Sequence, residues 1–244
     1  MNQINLTDII QYVEENITTF HHKRLTALEK IKLTKILQRK NIYLFKAKNI
    51  LTTQDLVKNL LDAFLQSQEE TMFGDFLEGL AIFICGKVYG GFKSKLIGID
   101  LEFEKDNIIY LVEIKSGPHW ANSSQIKKMK DNFIQAKEIL AQNKQFKNKE
   151  IMTINGCCYG RENKYDKGDY QKLCGQRFWE LISGNSQLYL EIIEPLGHQA
   201  KQKNEEFLEA YSQIINQFTL EFSQEFCDNG KINWQKLVKF NSAV

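Results

Sequence analysis

The sequence predicts a mixed α/β fold (α+β in arrangement), a mixed β-sheet core flanked by helices with further helical regions at both ends. Three observations carry that expectation. Apolar residues recur at three- and four-residue spacing through the first 90 positions, a β-rich pair of segments follows the Gly90-Gly91 break, and helical spacing then returns on both sides of one more β-rich segment.

In chain order, Leu6, Ile9, Ile10, Val13 and Ile17 make the apolar face of a first helix, with Asn5 or Thr7 as its cap. Thr52 and Asp55 form a capping box that opens a helix with Leu56, Leu60, Leu61 and Phe64 on one side. A third helix is expected over 67–85, with Phe73, Phe76, Leu77, Leu80 and Ile84 inward. Gly74 and Gly79 weaken its propensity and so mark close packing or the approach of a ligand. Leu96 to Phe103 alternates as a strand, with Asp100 near its middle. Lys105-Asp106-Asn107 is a turn, and Ile108 to Ser116 is dense in β-branched and aromatic residues, so the two runs pair as an antiparallel hairpin. Ile126, Met129, Phe133, Ala136 and Leu140 restore helical spacing over 123–140, and 150–159 reads as a further strand. Helices are expected at 170–183 and 199–227.

With 244 residues, 43% hydrophobic and 25% charged, the chain buries a core without needing disulfides or a structural metal. It has two prolines, no Ser/Gly/Pro-rich linker and no internal repeat, which predicts a single domain over 1–244. Within it, 1–66 are a helical N-terminal part, 67–160 the core and 161–244 a mostly helical C-terminal part. The net charge of +2 neither announces nor excludes a nucleic-acid binder, because a local basic surface decides that. No apolar run is long enough to cross a bilayer, and the start lacks a basic segment followed by an apolar one. Both predict no membrane association. Five irregularly spaced cysteines predict reduced thiols and a cytoplasmic protein. Cys157, Cys158, Cys174 and His198 lack the spacing of a zinc site.

The chemistry is concentrated on the hairpin. Glu113 and Lys115 lie two apart on a strand and share a face, and a turn at 105–107 brings Asp100 opposite Glu113. Leu111, Val112 and Ile114 surround Glu113, so its carboxylate needs a compensating cation or hydrogen bonds. A divalent ion suits that need, since Mg²⁺ takes a few carboxylates together with waters and phosphate oxygens. A lysine beside it can position an attacking water. The same charges also occur on solvated sheet faces, and Glu102 and Glu104 lie on this hairpin too.

Gly98-Ile99-Asp100 followed by Glu113-Ile114-Lys115 resembles the PD-(D/E)XK nuclease signature, with Ile99 in place of its proline. The runs 41–48, 69–74, 115–120 and 156–161 resemble type II restriction endonucleases of the PmeII-like kind. Together the likeness covers about Glu14 to Phe240. It implies a restriction-endonuclease-like fold, a single endonuclease domain with 67–160 as its catalytic core, and Mg²⁺-dependent cutting of double-stranded DNA to 5′-phosphate and 3′-hydroxyl ends. On that resemblance Asp100 and Glu113 bind the metal, with the backbone carbonyl of Ile114 as a further ligand, and Lys115 assists the water. A glutamate from a preceding helix often completes such sites, and Glu78 and then Glu70 are the candidates here.

For DNA contact the sequence offers Ser116, His119, Asn122, Ser123, Ser124, Gln125, Lys127 and Lys128, which follow the lysine directly, and Arg161 and Lys164 in a Gly-rich polar run. Ser123 or Ser124 is the expected cap of the helix there, and a helix N-terminus attracts phosphate. Cutting both strands of a palindromic or interrupted palindromic site predicts a homodimer, and a host methyltransferase as a functional, not physical, partner. A structure-specific repair or recombination nuclease, a catalytically silent DNA-binding protein and a purely structural helical protein remain the alternatives.

Overall fold

The computed structural model describes residues 5–143 and 149–243. Its elements run α1 (Leu6–Glu29), α2 (Leu33–Arg39), α3 (Ile42–Ala47), α4 (Thr53–Tyr89), β1 (Phe92–Lys93), β2 (Leu101–Lys105), β3 (Ile108–Lys115) and α5 (Ser123–Gln142). They continue with β4 (Glu150–Cys157), β5 (Gln171–Cys174), α6 (Gln176–Ser183), α7 (Leu188–Glu191), α8 (Ile193–Leu196), α9 (Ala200–Phe226), β6 (Cys227–Asp228), β7 (Lys231–Ile232) and α10 (Trp234–Ser242). The described residues group into two compact units, one of 5–17 with 73–198 and the other of 18–72 with 199–243. No helix among them is long and apolar enough to cross a membrane.

The first unit is built on a mixed five-stranded sheet in the order β1-β2-β3-β4-β5. β1, β2 and β3 are antiparallel neighbours, whereas β3, β4 and β5 run parallel. The expected hairpin is present. Asp106 and Asn107 both take positive φ, at 52° and 64°, which is the two-residue turn that matches strand twist. β3 is central and covered on both faces, which explains why Ile109 to Ile114 are all buried instead of alternating. On one face Ile109 and Leu111 pack against Met129, Phe133, Ala136 and Leu140 of α5. On the other, the Tyr110 ring stacks on Phe103 and Phe103 on Tyr89, at the end of α4.

Several boundaries differ from expectation. The first strand of the hairpin, β2, begins at Leu101, not Leu96, because Gly98 at φ 74° and the Ile99 N–H to Leu96 carbonyl bond turn the chain beforehand. Asp100 therefore stands at the head of the strand and not in its middle. The two helices expected over 52–85 are one helix of 37 residues, since Ser67 to Glu70 contain no breaker. Gly74 and Gly79 are accommodated by close packing: a Cβ would lie 2.6 Å from Ser116 Oγ at Gly74 and 2.9 Å from the Tyr12 hydroxyl at Gly79. Residues 171–174, expected to start a helix, are strand β5, and Gly175 at φ 56° separates it from α6. The cap of α5 is Asn122, not Ser123 or Ser124, and Gln125 returns the bond as a capping box.

The second unit is helical around one apolar cluster. Leu56, Leu60, Leu61 and Phe64 of α4 meet Phe218, Phe222 and Phe226 of α9 and Leu237 of α10. Thr52 caps α4, with Asp55 N–H donating to Thr52 Oγ1 at 3.1 Å, but Asp55 Oδ2 accepts from the Thr52 hydroxyl at 2.6 Å and not from its N–H, so the expected box is only half formed. The hairpin β6–β7 and helix α10 went unforeseen, although Asn229 and Gly230, both at positive φ, are a hairpin turn signal.

Candidate active site

Asp100 is fastened to β3 by two hydrogen bonds. Its N–H donates to the Val112 carbonyl at 2.8 Å, and its Oδ2 accepts the Ile114 N–H at 2.8 Å. Asp100 immediately precedes Leu101, whose partner is Val112, and its N–H is on the Val112 carbonyl and not on Glu113, so it is the carboxylate, held on the Ile114 N–H, that approaches Glu113. Ile114 itself is buried between the two functional positions of β3.

Glu113 is 8% exposed. Its Oε1 lies 2.8 Å from Lys115 Nζ, while its Oε2 is buried without a hydrogen-bond partner. Burial raises the Glu113 carboxyl above its ordinary value; Lys115 opposes that shift and the charge of Asp100 adds to it. Two carboxylates and one ammonium thus meet at the end of a central strand, with one carboxylate oxygen uncompensated. Among the described residues no group of three or more His, Cys, Asp or Glu side chains forms a metal-ligand cluster. Mg²⁺ does not require one, because one or two carboxylates with waters and substrate oxygens suffice. The unpartnered Oε2 beside Asp100 fits such an ion.

Glu78, on α4, is ion-paired with Lys93 of β1. The Glu78 hydrogen bond is the main reason the Lys93 ammonium titrates above its ordinary value, and the charges of Asp100 and Asp75 act the same way. Lys93 was not foreseen from sequence. Its signal is weak, a lysine on a two-residue strand paired with the head of β2. Glu70 belongs to the other unit and is exposed, its Oε1 3.5 Å from Gln66 Nε2.

Of the residues suggested for DNA contact, Asn122, Ser124 and Gln125 are joined in the α5 cap: Asn122 Oδ1 accepts from Ser124 Oγ at 2.7 Å and from Gln125 N–H at 3.1 Å. Ser123, Lys127, Lys128 and His119 are exposed. Ser116 is half-buried, and its carbonyl accepts the Tyr159 N–H at 3.0 Å. Arg161 and Lys164 are exposed on the loop after β4. Arg161 lines a cleft of about 520 Å³ together with Tyr159, Asn163, Arg177 and Trp179. Other cations of the run are engaged, Lys167 with Glu162 at 3.1 Å and Lys172 with the Pro118 carbonyl at 2.7 Å.

A family model described as type II restriction endonuclease EcoO109I matches residues 7–204. No curated protein matches the chain.

Proposed function

The chain belongs to the type II restriction endonuclease EcoO109I family and is a nuclease of that class acting on DNA, and from that premise we propose that it cuts double-stranded DNA at a specific site by Mg²⁺-dependent phosphodiester hydrolysis. The products are 5′-phosphate and 3′-hydroxyl ends. The observation that carries the reading is the buried Glu113 Oε2, left without a partner beside Asp100 and Lys115. An uncompensated carboxylate oxygen is costly to bury unless a cation joins it.

In this reading Asp100 and Glu113 hold Mg²⁺, with the Ile114 carbonyl as a further ligand. Mg²⁺ held by these residues would supply Lewis-acid polarisation of the phosphoryl group and would offset charge on the leaving oxygen. Lys115 orients the attacking water and takes part in moving its proton. Glu78 is the helix glutamate we assign to the site's edge, with Lys93 holding it, and Glu70 ranks behind it. Ser116, His119, Ser123, Lys127, Lys128, Arg161 and Lys164 supply phosphate or base contacts, and Asn122, Ser124 and Gln125 act through the α5 N-terminus they cap.

We further propose a homodimer, each copy cutting one strand of a palindromic or interrupted palindromic site. Specificity of the PmeII-like kind, a cytoplasmic location, one endonuclease domain spanning 1–244 and a protective host methyltransferase complete the reading.

The test is digestion of unmethylated phage DNA with Mg²⁺, beside Glu113→Ala and an EDTA control. Discrete bands lost in both controls support a site-specific enzyme, and end sequencing gives the site. A smear instead favours a structure-specific nuclease. Salt-sensitive binding without cutting favours a silent DNA-binding protein, and no binding at all sinks the nucleic-acid reading.

A further inference from the structure

We infer that Trp120, held by the buried Asn155, is a positioning residue that aims the Lys115 ammonium at the scissile phosphate, an inference that rests on the nuclease reading above. Trp120 is five residues past Lys115, too far along an extended chain to touch it, so a bend must return it. Structure supplies that bend with four contacts. Gly117 has no room for a side chain, since a Cβ would lie 2.3 Å from the Tyr159 ring. Gly160 is tight as well, since a Cβ there would lie 2.6 Å from the Pro118 ring. The Ser116 carbonyl accepts the Tyr159 N–H at 3.0 Å, and the Pro118 carbonyl accepts Lys172 Nζ at 2.7 Å.

The result is a folded-back segment whose indole lies under the lysine, with Lys115 Nζ 5.0 Å from the Trp120 ring centroid. That distance is within cation–π range. The ring is itself anchored. Trp120 Nε1–H donates to Asn155 Oδ1 at 3.1 Å. Asn155 is 1% exposed and sits on β4 directly beside Glu113 in the parallel register. Its Nδ2 is directed at the Glu113 carbonyl, at 3.4 Å.

A buried carboxamide with a donor on its oxygen and an acceptor for its nitrogen is more than filler, because a buried polar group costs stability unless it is paired. Here the pairing links three functional positions: the Glu113 backbone, Asn155 and Trp120, with Lys115 resting on the indole face. Lysine has a long flexible stem and loses orientation easily, so a fixed aromatic surface on one side and Glu113 Oε1 on the other restrict where its ammonium can point. The part played by Trp120 is orientation, not contact with the reacting atoms.

Two measurements decide it. The first is ¹⁹F NMR of 5-fluorotryptophan-labelled protein without DNA or metal. The chain has three tryptophans, so Trp120→Phe assigns the Trp120 resonance. Lys115→Gln is expected to shift that resonance and leave those of Trp179 and Trp234 in place. An unmoved Trp120 resonance overturns the inference even if no DNA is cut.

The second is single-turnover cleavage, with DNA affinity measured separately in EDTA. Trp120→Met, which keeps bulk and removes the ring face, is expected to slow cleavage roughly tenfold with affinity unchanged. Trp120→Phe, which restores a ring face but not the bond to Asn155, is expected to recover part of that rate. Equal rates for the Met and Phe variants, or a loss confined to affinity, overturn the inference while wild-type cutting leaves the nuclease reading standing. Failure of wild type to cut counts against the nuclease reading alone, and the resonance then decides the positioning.

Discussion

Replacing Glu113 by glutamine should make the metal-free protein more stable and inactive at once. Glu113 is 8% exposed, and its Oε2 has no hydrogen-bond partner. An unsatisfied buried acceptor costs about 1–3 kcal/mol, more when charged. Glutamine keeps the shape and still leaves a polar atom without a partner there, but it removes the charge, which is the costlier part to bury. What it gives up is the ion pair with Lys115, whose side chain is 28% exposed and can rehydrate, a loss of at most about 1 kcal/mol. The balance favours Glu113→Gln by roughly 1 kcal/mol, or a Tm higher by about 2–4 °C in EDTA at neutral pH.

The pH dependence follows from the direction of the Glu113 shift. Burial holds that carboxyl above its ordinary 4.5, so above this pH the folded chain keeps a proton that the unfolded chain releases. Wild-type stability therefore falls as pH rises through the folded-state pKa, and the glutamine variant lacks this loss. Differential scanning calorimetry should show no advantage for glutamine below pH 4.5 and a growing one above it. Mg²⁺ should raise the Tm of wild type only, narrowing the gap. A Tm for Glu113→Gln at or below wild type at neutral pH in EDTA would refute the argument that this carboxylate is stored at a cost until a cation joins it.

Four further outcomes are expected. Asp100→Asn keeps an oxygen for the Ile114 N–H and so should fold normally, while cleavage falls roughly a thousandfold, measured as single-turnover rate. Gly156→Ala puts a Cβ 2.3 Å from the fully buried Phe178 ring and should cost about 1–3 kcal/mol in urea unfolding. Gly74→Ala meets only the rotatable Ser116 Oγ at 2.6 Å and should be near neutral, helped by about 1 kcal/mol of helix propensity. Asn122→Ala removes the cap of α5 and should cost about 1 kcal/mol, with faster amide exchange confined to the first turn of that helix.

Much of the candidate site was legible because its logic is local. A two-residue spacing puts Glu113 and Lys115 on one face of any strand, and the Asp106-Asn107 turn fixes the register that sets Leu101 against Val112 and so brings Asp100 to the same end of the hairpin. The periodic faces of α1, α5 and α9 follow the same rule, since a helix carries its apolar stripe in its own spacing. The fold class came from the alternation of these local signals.

What needed the tertiary structure is whatever depends on residues far apart in the chain. Residues 171–174 are a strand because Cys174 pairs with Cys157 and Leu173 with Gly156, a partnership no window of sequence contains. The 37-residue helix α4 tolerates Gly74 and Gly79 because Ser116 and Tyr12 close over them. The grouping of 18–72 with 199–243 is likewise a matter of contact, not of linkers. Asn155 reads as an unremarkable polar residue until parallel pairing sets it beside Glu113 and hands its oxygen to Trp120. Sequence by itself determined which side chains share a face, because backbone geometry repeats every two or 3.6 residues. Only the folded chain decided which faces meet, because strand register and helix packing are set by the burial of distant partners.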